Sequence, residues 1–153
     1  MKENYAFINY QQLHNHIFKG TQLPSNAVHI SFDDGYAECF HIVRPLLLKY
    51  KIPCTFFLTT DLIDNEILFY RNKQSLCIDR LVQPDFNFHP SIFENLHSKQ
   101  YIAPKTLPKF ISWFEDLRLE DEPLIDEICR TVNVDWQSFL MDKHPYLTAN
   151  QIQ

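Results

Sequence analysis

The sequence predicts an α/β fold that opens with a parallel β-α-β unit and continues as a mostly helical segment. Two patterns carry this expectation. β-rich runs at residues 27–32 and 54–58 flank a helical stretch at 36–50, with short connections that suit a parallel pairing. From Thr106 onward, apolar residues recur at helical spacing instead.

The elements follow in chain order. Residues 9–19 place Tyr10, Leu13, Ile17 and Phe18 at helical spacing, with Asn9 and Gln12 as a capping box and Gly20 as the stop. Leu23-Pro24-Ser25-Asn26 is a turn, and the strand AVHISF (27–32) ends abruptly at Asp33-Asp34-Gly35. In the following helix Pro45 removes an internal donor, so a kink or two shorter pieces are expected there. CTFFL (54–58) reads as a second buried strand, whereas residues 75–82 fit helix or strand by period alone.

Three helical stripes come next. Leu107, Phe110, Ile111, Phe114 and Leu117 follow a Thr106 cap with Pro108 in the first turn. Leu124, Ile125, Ile128, Cys129 and Val132 follow Asp121, and Trp136, Phe139 and Leu140 follow Asp135. Phe110, Trp113 and Phe114 have the spacing of a core rather than of a sugar-stacking platform. Thr148 to Gln151 match a capping box, a helix start with only Ile152 and Gln153 behind it. That signal carries the expectation that the chain stops before its fold is complete.

Composition narrows the function. At 153 residues, 45% hydrophobic and 22% charged, the chain has the length of about one folded domain. No apolar run approaches about 18 residues, so no membrane-spanning helix is expected. Residues 1–10 lack a secretory pattern, which favours the cytoplasm. A net charge of −5 argues against nucleic acid or an anionic membrane as partner. Cys39, Cys54, Cys77 and Cys129 form no C-x-x-C pair and read as reduced, mostly buried thiols rather than a zinc knuckle or redox pair.

Chemistry concentrates at Asp33-Asp34-Gly35. Adjacent carboxylates at the end of a buried strand repel one another unless a cation or several hydrogen bonds compensate. Ligands of α/β folds bind at the C-terminal ends of parallel strands. One aspartate could coordinate a divalent metal while the other handles a proton; equally, Asp34 could cap the helix beginning near Tyr36. His14 and His16 stand two apart on a helix and do not face one site. His29 could approach the acids, although a hydrogen-bonded structural histidine is the simpler account. Thr59, Thr60 and Asp61 could rim a substrate site, with helix capping by Thr60 or Asp61 the simpler role. The acidic run at 115–122 reads as a solvated face and connection.

Residues 23–64 resemble the first part of the polysaccharide deacetylase (NodB-homology) family. Ser31-Phe32-Asp33-Asp34-Gly35 matches its Thr/Ser-Phe-Asp-Asp-Gly strand end, and Pro53-Cys54-Thr55-Phe56-Phe57 matches the next strand. FYRNKQSLCIDRL (69–81) is similar to members with a helical insertion after that strand. The resemblance implies an incomplete (β/α) barrel-like deacetylase domain. Residues 1–64 would be its N-terminal part, 65–145 a mostly helical insertion and 146–153 the start of a truncated helix.

The implied activity is metal-dependent N-deacetylation of amino sugars, hydrolysing an acetamido C–N bond. Asp33 matches the general base, and Asp34 a ligand of the divalent metal, zinc. The family's remaining ligands come from a His-(Ser/Thr)-x-x-x-His element, with an Arg-containing motif and a late Leu-x-His completing the site. None of these is placed here, since His14, His16, His89 and His97 fail on spacing. In the family, a segment resembling residues 145–153 comes just before the histidine element, so the chain is expected to be truncated and inactive alone. The implied partner is a saccharide substrate, with a partner chain or self-association covering the incomplete sheet. The alternative is a non-catalytic interaction module or a degenerate deacetylase-like protein. A magnesium-dependent phosphotransfer site is disfavoured because no Gly-rich phosphate loop is present.

Overall fold

A computed structural model describes residues 4–89 and 104–152. The chain divides into two compact units, one of Met1–Glu66 with His144–Gln153 and one of Ile67–Lys143.

The first unit begins with strand β1 (Ala6–Phe7) and helix α1 (Tyr10–Lys19). The expected capping box is in place: the Asn9 side chain accepts from the Gln12 backbone, and the Gln12 side chain accepts from the Asn9 backbone, both at 2.9 Å. Gly20 ends the helix in the left-handed region at φ 67°. The single strand expected at 27–32 is instead two short ones, β2 (Ala27–Val28) and β3 (Ser31–Phe32). The reason lies in a change of partner. β2 pairs in parallel with β1, Ala6 opposite Ala27, whereas β3 pairs in parallel with β4 (Thr55–Phe56), Ser31 opposite Thr55. Between them the Val28 carbonyl accepts from Ile8, and the Ile30 carbonyl accepts from Thr55. Both sheets are two-stranded, and no closed barrel is formed among the described residues.

The crossover from β3 to β4 is helical, and Pro45 interrupts it as expected. Cys39–Val43 form a wide π turn in which the Arg44 N–H reaches back to the Cys39 carbonyl. Helix α2 (Arg44–Tyr50) then begins with Pro45 in its first turn, where a missing donor costs little. Lys51 closes α2 in the left-handed region before the chain enters β4. A 3₁₀ turn at Thr60–Asn65 follows β4, and the last turn of the unit is α7 (Ala149–Ile152).

The second unit is helical, with α3 (Tyr70–Leu81), α4 (Leu107–Asp116), α5 (Glu122–Thr131) and α6 (Trp136–Lys143). The last three stripes are the ones expected, entered from Thr106, Asp121 and Asp135. The apolar faces of α4 and α5 meet α3 in one core that includes Phe110, Phe114, Ile125, Ile128 and Val132, and Trp136 of α6 packs against it. The acidic stretch is mostly exposed, but Glu122 turns inward to bond Lys73.

The ambiguity at 75–82 resolves as helix: α3 buries Lys73, Gln74, Cys77 and Leu81 on its core face. Gln74 donates to the Phe114 and Leu117 carbonyls, satisfying the open C-terminal end of α4. Lys73 donates to Glu122 at 2.7 Å and Asp126 at 2.8 Å, and its ammonium sits 4.1 Å from the centre of the Trp136 ring. The Asp135 carboxylate accepts from the Ser138 backbone and hydroxyl, which hold it below the usual carboxylate range.

Candidate active site

The parallel pairing of β3 and β4 brings their C-terminal ends to the same place. The Phe57 N–H donates to the Phe32 carbonyl at 2.8 Å, extending the pairing to the last residue before the aspartates. The Phe32 and Phe56 rings stack below, with centres 5.8 Å apart. Asp33 therefore emerges from the end of β3 and is exposed, whereas Asp34 is half-buried.

The two aspartates stand in different settings. Asp34 stands at φ 67° and Gly35 at φ 76°, so the chain reverses its hand immediately after Asp33. The Gly35 N–H closes a tight turn on the Asp33 carbonyl at 2.9 Å. Aspartate tolerates the left-handed region better than most residues, which suits it to this position. The Asp34 carboxylate accepts from the Thr59 hydroxyl at 3.3 Å. Asp34 thus does not cap the crossover helix, whose start carries no side-chain cap bond. Nor do Thr60 and Asp61 cap the turn that follows β4: it is entered from Thr59 with no side-chain cap bond.

A segment distant in sequence completes the turn. The Leu147 N–H donates to the Gly35 carbonyl, and the Ala37 N–H to the Pro145 carbonyl, both at 2.8 Å. Tyr36 and Tyr146 form an antiparallel bridge with ring centres 5.5 Å apart. The Asn65 side chain binds both the N–H and the carbonyl of Tyr146, and Asp64 accepts from the Ala149 N–H. Residues 145–149 are thereby laid between the aspartate turn and the turn after β4. Nothing in the local sequence announced this contact; the turn-forming pair Asp64-Asn65 was the available signal.

Gly35 has little room for another side chain. A Cβ there would lie 3.1 Å from the Leu58 side chain, on a backbone that L-residues rarely adopt. Gly35→Ala is expected to destabilise the chain by about 1–3 kcal/mol in urea unfolding. Gly20→Ala, at a similar φ but with nothing within 4 Å, should lose only the backbone part of that. Equal effects would show that the close approach to Leu58 does not matter.

A cavity of about 320 Å³ adjoins the same turn, lined by Phe40, Arg44, Phe56, Leu58 and Leu147 among others, and neither aspartate lines it. Burial pushes the Cys39 and Cys54 thiols up, leaving them protonated and weakly nucleophilic near neutral pH.

The family model for polysaccharide deacetylases matches residues 20–102, more than half of the chain. This chain belongs to the polysaccharide deacetylase family. No curated protein and no solved structure matches it. The matched span runs from Gly20 through β2, β3, β4 and the whole of α3, and it contains both aspartates.

The family is generally metal-dependent. A catalytic zinc takes three protein ligands, and no group of three His, Cys, Asp or Glu side chains suited to a metal exists among the described residues. Asp34, half-buried and held by Thr59, is a single carboxylate of suitable kind, so these residues do not hold a metal by themselves. The histidines stand elsewhere. His16 bonds the Thr21 carbonyl at 2.8 Å and His29 the Ile8 carbonyl at 3.1 Å, each through its Nδ1. His14 lies on α1, His89 is exposed, and His97 is outside the described residues. No helix among the described residues is long and apolar enough to cross a membrane.

Proposed function

We propose that this deacetylase-family chain carries one half of an amino-sugar N-deacetylase site, with Asp33 as general base and Asp34 as a ligand of a divalent metal such as zinc. The observation behind this division is the difference in setting: Asp33 is exposed, whereas Asp34 is half-buried, in the left-handed region and bonded to Thr59. An acetamide carbonyl is a poor electrophile, and water attacks it only with help. A bound divalent metal supplies Lewis acidity. Asp33, exposed at the strand end, is free to take the proton of the attacking water. Thr59 orients Asp34 and occupies one lone pair of its nearer oxygen. The remaining ligands implied by the family resemblance would come from a segment or chain outside these residues. In this scheme the helical unit Ile67–Lys143 is an insertion, because the segment that closes the aspartate turn resumes only after it.

A second account has a specific observation in its favour. Phe18 of α1 and Leu48 of α2 are largely exposed, as expected of a non-catalytic module that docks a partner.

Acetate release from N-acetylglucosamine oligomers by the complete gene product separates the two. The deacetylase account expects release that a chelator abolishes and added divalent metal restores. Acetate release indifferent to both would remove the metal from the scheme, and no release with every metal supplied favours the docking module.

A further inference from the structure

Cys77 of α3 and Cys129 of α5 meet inside the second unit, with sulfur atoms 2.8 Å apart and both residues fully buried. They stand 52 positions apart in sequence, so their contact comes from the packing of α3 on α5 and not from a local motif. Both are free thiols within the same apolar core as Phe110, Ile125 and Val132. A disulfide bond is about 2.05 Å long, so joining them requires their sulfurs to approach by less than an ångström.

We infer that Cys77 and Cys129 are an oxidisable pair that closes to a disulfide between α3 and α5, with a small-molecule disulfide as oxidant. One cysteine thiolate attacks the small disulfide, forming a mixed disulfide and releasing one small thiol. The second cysteine attacks the protein-bound sulfur, forms the Cys77–Cys129 bond and releases the second small thiol. The two protein thiols are oxidised and the small disulfide is reduced, its two thiol products carrying away the two protons.

The closed core is unreactive, because the hydrogen bond shared with Cys129 and then burial push the Cys77 thiol up. Exchange therefore proceeds while the unit is open, and refolding selects the pairing. The bond closes a long loop, and is expected to raise the folding equilibrium constant by about 30- to 1,000-fold.

The first unit supplies an internal comparison, since it holds the other two free cysteines, Cys39 and Cys54. The test is to unfold the 153-residue chain in urea and refold it in a mixture of reduced and oxidised glutathione. Acid-quenched samples are then mapped by peptide mass. The expected product has lost two hydrogens, yields a Cys77–Cys129 cross-linked peptide, and unfolds at higher urea until dithiothreitol returns it to the reduced midpoint. The double variant Cys39→Ala, Cys54→Ala should form the same bond. Refolded chain with four free thiols, glutathione adducts without a cross-link, a Cys39–Cys54 bond instead, or a Cys77–Cys129 bond that lowers the urea midpoint would each overturn the inference.

Discussion

Replacing Asp33 with asparagine in the complete gene product is expected to lower kcat/KM for deacetylation by about 10²- to 10⁴-fold. Asparagine keeps the size and the tight turn but cannot accept the proton of water. Asp33 is exposed and has no hydrogen bond to Thr59, which goes to Asp34, so the substitution should leave folding nearly unchanged. Unfolding in urea, measured beside the kinetics, distinguishes lost chemistry from lost structure. Full activity in a folded Asp33→Asn protein would remove the base from this position.

The second large effect belongs to the helical unit. Lys73 is 3% exposed, and its ammonium is shared by Glu122 and Asp126 with the Trp136 ring against it. Lys73→Ala leaves two carboxylates facing each other without a counter-charge and removes the packing on Trp136. Breaking a fully buried ion pair costs about 3–5 kcal/mol. The two carboxylates here are about a third exposed, which lowers the expected loss to about 2–4 kcal/mol. Trp113 and Trp136, the chain's two tryptophans, both lie in this unit, so tryptophan fluorescence reports its unfolding.

The same group sets an alkaline limit. Burial works to lower the Lys73 value, but the bonds to Asp126 and Glu122 outweigh it and leave the group raised above its ordinary 10.5. A raised folded value means the pair stabilises fully below about pH 10.5 and loses its contribution as pH climbs through the folded value. The urea midpoint should therefore fall at high pH in the wild type, and less steeply in Lys73→Met, which keeps the stem without the charge. Parallel pH profiles for the two would contradict this role.

These features differ in how far the sequence announced them. The capping box at Asn9 and Gln12, the break at Pro45 and the three late helices were legible, because each depends on residues within a turn or two. The aspartate turn was legible as a motif of two acids and a glycine at a strand end, although a helix-capping turn fitted those residue types equally well. β1 was not, because two residues carry no period. The run at 27–32 read as one strand because alternation says nothing about which neighbour accepts each hydrogen bond. α3 was ambiguous because Lys73 and Gln74 occupy its buried face and blur the apolar stripe. The bond from Thr59 to Asp34, the Cys77–Cys129 contact and the return of residues 145–149 join positions 25, 52 and about 110 residues apart, beyond any local rule.

The division of labour between Asp33 and Asp34 is tested most directly by metal affinity. The measurement is zinc binding to the complete gene product by competition with a chromophoric chelator, for the wild type, Asp33→Asn, Asp34→Asn and Thr59→Val. Loss of an outer partner typically weakens a metal site by about 10- to 100-fold, which is the effect expected for Thr59→Val. Asp34→Asn should weaken it further, while Asp33→Asn binds zinc like the wild type. Equal affinity in all four proteins, or a loss confined to Asp33→Asn, would contradict the assignment.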